Sequence, residues 1–241
     1  MIAQLFNYVH PLSRMLRRRK RYYRQQALPS KIGHLVSLPN ITHSTLVSEV
    51  EYLVLDIETT GLDPNQDNIL SIGWVVVAKG CIEVNSSYHC YIKDNVQVKP
   101  ETAVINHITP NMLAKGISIQ SAMNQLFRAA RNRVLVAHCS AIESAFILRY
   151  LTKFYGLSSL PLLWLDTLQI EKNLATAINR HQKIDVELTA TRSRYCLPEY
   201  VSHNALTDAL STAELLLAQI RRVQGNKPVA LGMLYSLSEV K

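Results

Sequence analysis

The stretch Tyr52-Leu53-Val54-Leu55-Asp56-Ile57-Glu58-Thr59-Thr60-Gly61-Leu62-Asp63-Pro64 decides how this chain folds. An apolar run ends in two carboxylates one residue apart and passes into turn chemistry. Side chains alternate across a strand, so Asp56 and Glu58 share a face while Leu53, Leu55 and Ile57 point to the other. Two like charges so close repel, and a cation between them removes the repulsion. Oxygen ligands suit a hard divalent metal, Mg²⁺ or Mn²⁺. The plain alternative is a strand end carrying two solvated acids, because Asp-x-Glu by itself is a common pattern.

Two further acids change the balance. Glu143 lies where the short apolar run Val134-Leu135-Val136-Ala137 turns into a helical pattern, and Asp208 lies near the start of another. His203 precedes Asp208 by five residues, so a helix entry can bring both to one point. Four acids and one histidine, each at the end of an element, form the inventory of a two-metal phosphoryl-transfer site. In that scheme the histidine takes the proton of the attacking water.

These segments resemble the exonuclease motifs of the DnaQ-like (DEDDh) 3′→5′ exonucleases, typified by the epsilon subunit of bacterial DNA polymerase III. The likeness runs from about Glu51 to Gln219. It is carried by Asp56-Ile57-Glu58-Thr59-Thr60-Gly61-Leu62 with Ile69-Leu70-Ser71-Ile72-Gly73, and by His203 through Asp208. Asn106-His107-Ile108-Thr109 and Leu165-Asp166-Thr167-Leu168 are secondary landmarks. The second motif departs from the family's usual His-Asn-Ala-x-Phe-Asp and reads His138-Cys139-Ser140-Ala141-Ile142-Glu143. Its acid is one methylene longer, and Mg²⁺ is stricter about octahedral geometry than a substituted site easily satisfies. Mn²⁺ is the better tolerated ion in that case.

The resemblance implies a ribonuclease H-like α/β fold, a mixed central sheet flanked by helices. It implies two divalent ions, Mg²⁺ or Mn²⁺, held by Asp56, Glu58, Glu143 and Asp208, with His203 completing the catalytic set. It implies a nucleic acid with a free 3′ end as substrate, DNA ahead of RNA, and nucleoside 5′-monophosphates as products. Thr59, Thr60, Gly61, Leu62 and His107 would contact the terminal nucleotide. Gly61 also suits a turn with positive φ, and His107 also suits a cap for the helix beginning after Thr109-Pro110. His138 reads as a support for its turn. Two other classes stay open: a binding relative with a weakened metal site, and an accessory protein docked on a replication or repair partner.

Composition sets the limits. A chain of 241 residues, 48% hydrophobic, buries a substantial core. No apolar run has the length of a membrane span. Cys81, Cys90, Cys139 and Cys196 lack metal-knuckle spacing and read as reduced thiols of a cytoplasmic protein. The net charge of +8 is localised: residues 1–48 hold eight of the 26 Lys/Arg and no acid, and the rest balances 18 bases against 18 acids. Residues 1–48 therefore read as a basic arm, helical from about Leu5 to Gln26 and a loose linker after Pro29. That arm fits nucleic acid, a solvated helix face, acidic lipid or an Arg-rich transit peptide. The exonuclease domain reads as 49–223 and the tail as 224–241. Strands are expected at Tyr52–Ile57, Ile69–Ala78, Ile82–Ile92, Val134–Ala137 and Trp164–Leu168, with helices at Ser121–Asn132, Ala141–Tyr155 and Leu206–Arg222.

Overall fold

The computed structural model describes residues 9–37, 41–93, 107–178, 184–225 and 227–240. The decisive stretch forms β1 (Tyr52–Thr59), followed by β2 (Ile69–Ala78) and β3 (Cys81–Tyr91). Lys79 and Gly80 both take positive φ, the geometry of a tight hairpin turn whose twist matches the strands it joins. Strands β4 (Val134–Ala137) and β5 (Trp164–Asp166) complete a five-stranded sheet in the order β3-β2-β1-β4-β5. The first three strands are antiparallel, whereas β1-β4 and β4-β5 are parallel. This is the mixed sheet expected from the strand pattern.

Helices fill the layers on both sides: α1 (Pro11–Gln25), α2 (Ser30–Gly33), α3 (Pro110–Ala114), α4 (Ile119–Ala129), α5 (Ala141–Tyr155), α6 (Thr167–Ile178), α7 (Leu188–Arg194), α8 (Ala205–Gln224) and α9 (Leu231–Ser238). Alternation along β1 sorts its residues between two cores. Leu53, Leu55 and Ile57 pack with Met123 and Leu126 of α4 and Phe146, Ile147 and Leu151 of α5. Tyr52 and Val54 pack with Ala213 and Leu216 of α8 and Leu234 of α9. Asp56 and Glu58 continue the second face beyond the point where apolar packing ends.

The arm is more structured than its composition suggests. Leu5 to Tyr8 of the expected helix lie outside the described residues, and the rest docks on the body. Leu12 is fully buried, and the Arg19 guanidinium donates to the Leu35 carbonyl at 2.6 Å and the Pro161 carbonyl at 2.9 Å. Burial lowers the Arg19 pKa to about 10, which leaves it charged at neutral pH. The linker is not loose where it is described: Ile32, Leu35 and Val36 enter the first core, and Leu46 bridges Ala230. Tail helix α9 likewise sinks Leu231, Leu234 and Tyr235 into the second core. Helices of four and eight residues are not stable alone, and long-range packing supplies what the local pattern did not.

Gly73 fixes the height of α8 above the sheet. It pairs with Asp56 across β1-β2, and a Cβ there would collide with the backbone of Ala205 and Leu206. Gly73→Ala should therefore push the α8 N-terminus away from Asp56 and destabilise the fold by about 1–3 kcal/mol, the usual range for overpacking. Denaturant unfolding checks the stability, and metal affinity checks the displacement.

Candidate active site

Three of the four acids meet where β1 leaves the sheet, and Glu143 stands outside that group. A register shift between Glu58 and Thr59 marks a bulge, a device that re-aims side chains beside active sites. Asp56, Glu58 and Asp208 bring one carboxylate oxygen each within 4.8 Å of one another. Asp208 arrives from the first turn of α8, and Glu143 arrives from the first turn of α5, whose helix packs on the opposite face of the sheet. Glu143 is 3% exposed, and its Oε2 is buried without a hydrogen-bond partner among the described residues.

Electrostatics expose the cost of this gathering. Burial, then repulsion from Glu143, Glu58 and Asp208, raises the Asp56 pKa well above the usual carboxylate range. Burial, with Asp208, pushes Glu58 up to about 7. Burial, with Asp166 and Glu58, pushes Glu143 up to about 8. Asp208 is raised by burial too, although the His203 N–H, the histidine's charge and Arg192 pull it back. An all-oxygen donor set, mutually repelling and with one orphaned buried oxygen, fits a hard divalent cation.

The turns that deliver these groups are strained and braced. His203 has φ +67° and Cys139 φ +72°, left-handed conformations that cost a non-glycine residue roughly 1–2 kcal/mol. The backbone N–H of His203 donates to Asp208 Oδ2 at 2.7 Å, which ties the histidine to the acid while leaving its ring exposed. Asn204 caps α8 by accepting from the Thr207 N–H. Arg192, 4% exposed, donates to the carbonyls of Pro198 and Ser211 and to Glu214 Oε2 at 2.7 Å. It thereby fastens the loop carrying His203 to α8.

Asp166 does the same for Glu143. Its carboxylate accepts from the N–H groups of Cys139 (3.1 Å) and Ser140 (2.9 Å), from Ser140 Oγ, and from Leu168 N–H at the start of α6. His138 links Thr167 Oγ1 and the Val186 carbonyl, each at 2.8 Å, so it supports its turn as its position suggested. Sequence reasoning assigned no role to Asp166, Arg192 or Gly73. Asp166 and Gly73 sat inside quoted motifs, but only their three-dimensional contacts reveal what they do.

The expected substrate-contact residues line one turn. Thr59 Oγ1 donates to the Gly61 carbonyl, and Thr60 Oγ1 donates to Asp67 Oδ1 while accepting from the Asn68 N–H. Gly61 has no positive φ, against that expectation. A Cβ there would sit 2.5 Å from Asp67 Oδ2, so glycine is demanded by close approach rather than by backbone angle. Leu62 stands 74% exposed at the rim. His107 does not cap the following helix; Thr109 does, accepting from the Met112 N–H. His107 is exposed with φ +54°, and Asn106 beside it lies outside the described residues.

The exonuclease family RNase_T matches residues 53–216, a span that contains all four acids and His203. The chain belongs to the exonuclease family. Its resemblance to the DnaQ-like DEDDh exonucleases holds, with Glu143 as its own departure. It is 28% identical over 203 residues to the PolC-type DNA polymerase III of Thermotoga petrophila, covering 84% of this chain and 14% of that protein. It is 24% identical over 193 residues to the 3′-5′ exonuclease DinG of Staphylococcus haemolyticus, covering 80% of this chain and 21% of that protein. The chain thus spans about a fifth or less of these relatives' lengths. Two solved structures share the fold. The nuclease domain of 3′hExo, a DEDDh family member bound to rAMP, gives a TM-score of 0.61 at 15% identity, covering 77% of this chain and 98% of that one. Exonuclease X in complex with 5′ overhanging duplex DNA gives 0.55 at 21%, covering 76% and 99%.

Folding raises the pKa of Glu58 to about 7 and of Glu143 to about 8 from ordinary carboxylate values. Raised carboxylates contribute stability that is present at low pH and lost as pH rises through the folded pKa. Metal-free protein should therefore lose thermal stability between about pH 5 and pH 8. Added Mg²⁺ or Mn²⁺ should raise Tm more at pH 8 than at pH 6, because binding must displace those protons. Scanning calorimetry across pH with EDTA or metal reads both effects.

Proposed function

We propose that this chain is a metal-dependent 3′→5′ exonuclease that hydrolyses the terminal phosphodiester of single-stranded or frayed nucleic acid, DNA ahead of RNA. The observation that carries this reading is the convergence of Asp56, Glu58 and Asp208 within 4.8 Å. The orphaned Glu143 oxygen beside Asp56 and the ring of His203 left in solvent support it. Asp56, Glu58, Glu143 and Asp208 would hold two ions, Mg²⁺ or Mn²⁺. When bound, the ions supply charge neutralisation at the attacking and leaving oxygens.

The residues do the rest. His203 accepts a proton from water as the water oxygen bonds to phosphorus and the P–O3′ bond breaks. The departing 3′ oxygen gains a proton from solvent, and a nucleoside 5′-monophosphate leaves. The tie between the His203 N–H and Asp208 keeps base and acid in register. Thr59, Thr60 and Gly61 hold the turn that meets the terminal nucleotide, Leu62 wedges against its base, and His107 contacts it. Functionally, residues 49–223 are the nuclease, and the described parts of arm 1–48 and tail 224–241 pack on it. All four cysteines are free, which supports a cytoplasmic setting, and no described helix is long and apolar enough to cross a membrane. A replication or repair partner belongs to the same proposal, on the PolC-type relatives alone. One observation favours a weaker second reading, a binding relative: the longer Glu143 in the most buried ligand position.

With 5′-labelled single-stranded DNA and matched RNA, a ladder should shorten from the 3′ end in Mg²⁺ or Mn²⁺ and vanish in EDTA. Asp56→Ala should lose about 10²- to 10³-fold or more, since metal charge stabilisation is worth several kcal/mol. Glu143→Asp should raise the Mg²⁺ rate relative to Mn²⁺. Binding without a ladder in either metal would favour the binding relative.

A further inference from the structure

Helix α1 divides sharply around its axis. Leu12, Met15, Leu16, Arg19 and Tyr22 face the body. At 100° per residue, Arg14, Arg17, Arg18, Lys20, Arg21 and Arg24 fall on the opposite arc, a stripe about 15 Å long. Apart from the half-buried Arg17, these side chains are exposed, and none of those five forms an ion pair among the described residues. All of the protein's excess charge resides on this arm.

Position makes the stripe more than a solvated face. The buried Arg19 bonds to Leu35 and Pro161 hold the helix in one place. Arg18 borders a cavity of about 600 Å³ whose other wall is Cys139, Ser140 and Ser144, the turn and first residues of the helix that carries Glu143. The cavity therefore lies between Arg18 of the stripe and the second-motif turn, with Glu239 also on its wall. Asp166 also borders it, but its oxygens are engaged by the Cys139, Ser140 and Leu168 N–H groups.

We propose that this stripe binds the phosphate backbone of the substrate strand several nucleotides upstream of the scissile bond, without regard to sequence. This rests on the exonuclease reading above for its substrate. Charge complementarity selects a polyanion. A bilayer is the poorer match, because the apolar side of α1 is already committed to the core and leaves nothing to insert.

The test uses the full chain with Arg14, Arg18, Arg21 and Arg24 all changed to Gln, and a second variant with Lys at the same four positions. Fluorescence anisotropy in EDTA measures binding of labelled dT20 against salt. The Gln variant should bind roughly tenfold or more weakly, with a log–log salt slope shallower by about 0.7 per contact removed. Lys should restore both. With metal, KM for dT20 should rise at unchanged kcat, and turnover of dT4, which offers fewer phosphates to the stripe, should change less. Unaltered dT20 affinity and slope in the Gln variant would overturn the proposal, as would arm-dependent binding of phosphatidylserine vesicles without dT20 binding. A wild-type chain that cleaves neither oligonucleotide refutes the exonuclease reading instead, and the EDTA binding data still decide the stripe.

Discussion

Mutual repulsion among four carboxylates is the constraint around which the rest of this molecule is arranged. Left to themselves, Asp56, Glu58, Glu143 and Asp208 would move apart or take up protons, and Glu58 and Glu143 are raised first by burial and then by their acidic neighbours. Holding them together requires rigid delivery from independent directions. Strand β1 supplies two acids from the middle of the sheet, α8 one from its second face, and α5 one from its first. A bound divalent cation would convert that repulsion into affinity.

The supports share one design. Each turn that delivers Glu143 or His203 is fastened by a buried charged side chain that gathers several backbone groups. Asp166 collects the N–H groups of the second-motif turn, and Arg192 collects carbonyls from the loop before His203 and from α8. Charge-assisted hydrogen bonds of this kind are about twice as strong as neutral ones, which suits turns that must hold left-handed residues such as Cys139 and His203. Arg19 applies the same chemistry to the arm, with two carbonyl acceptors from separate segments. In each case one charged side chain converts a loop into a fixed platform.

How much was legible in the sequence depended on how local each signal was. The period-2 pattern of Tyr52–Ile57 and the turn at Lys79-Gly80 are short-range features, and the strands formed where they indicated. Three strand-like runs followed by alternating helix and strand sufficed for a mixed sheet. The helices α2, α7 and α9 were missed because each is short, of four, seven and eight residues, and depends on the rest of the fold to hold it; α6 was missed because Thr167-Leu168 read as the end of the strand from Trp164. The Gly61 angle was misjudged for a related reason: its crowding comes from Asp67, six residues on, and not from its own backbone.

The sequence alone determined the inventory: four acids and a histidine at element ends, an extra methylene at Glu143, and a charge excess confined to the first 48 residues. Those are properties of residue type and order, which no folding step can alter. Only the tertiary structure decided that the acids converge, that Gly73 sets the height of α8, and that Asp166 and Arg192 hold the turns. It also decided that the basic arm is a docked helix with one buried and one cationic side. The reason is physical. Alternation and helical periodicity fix which way a side chain points within its own element. Which other element it then meets is set by packing and charge between segments far apart in the chain.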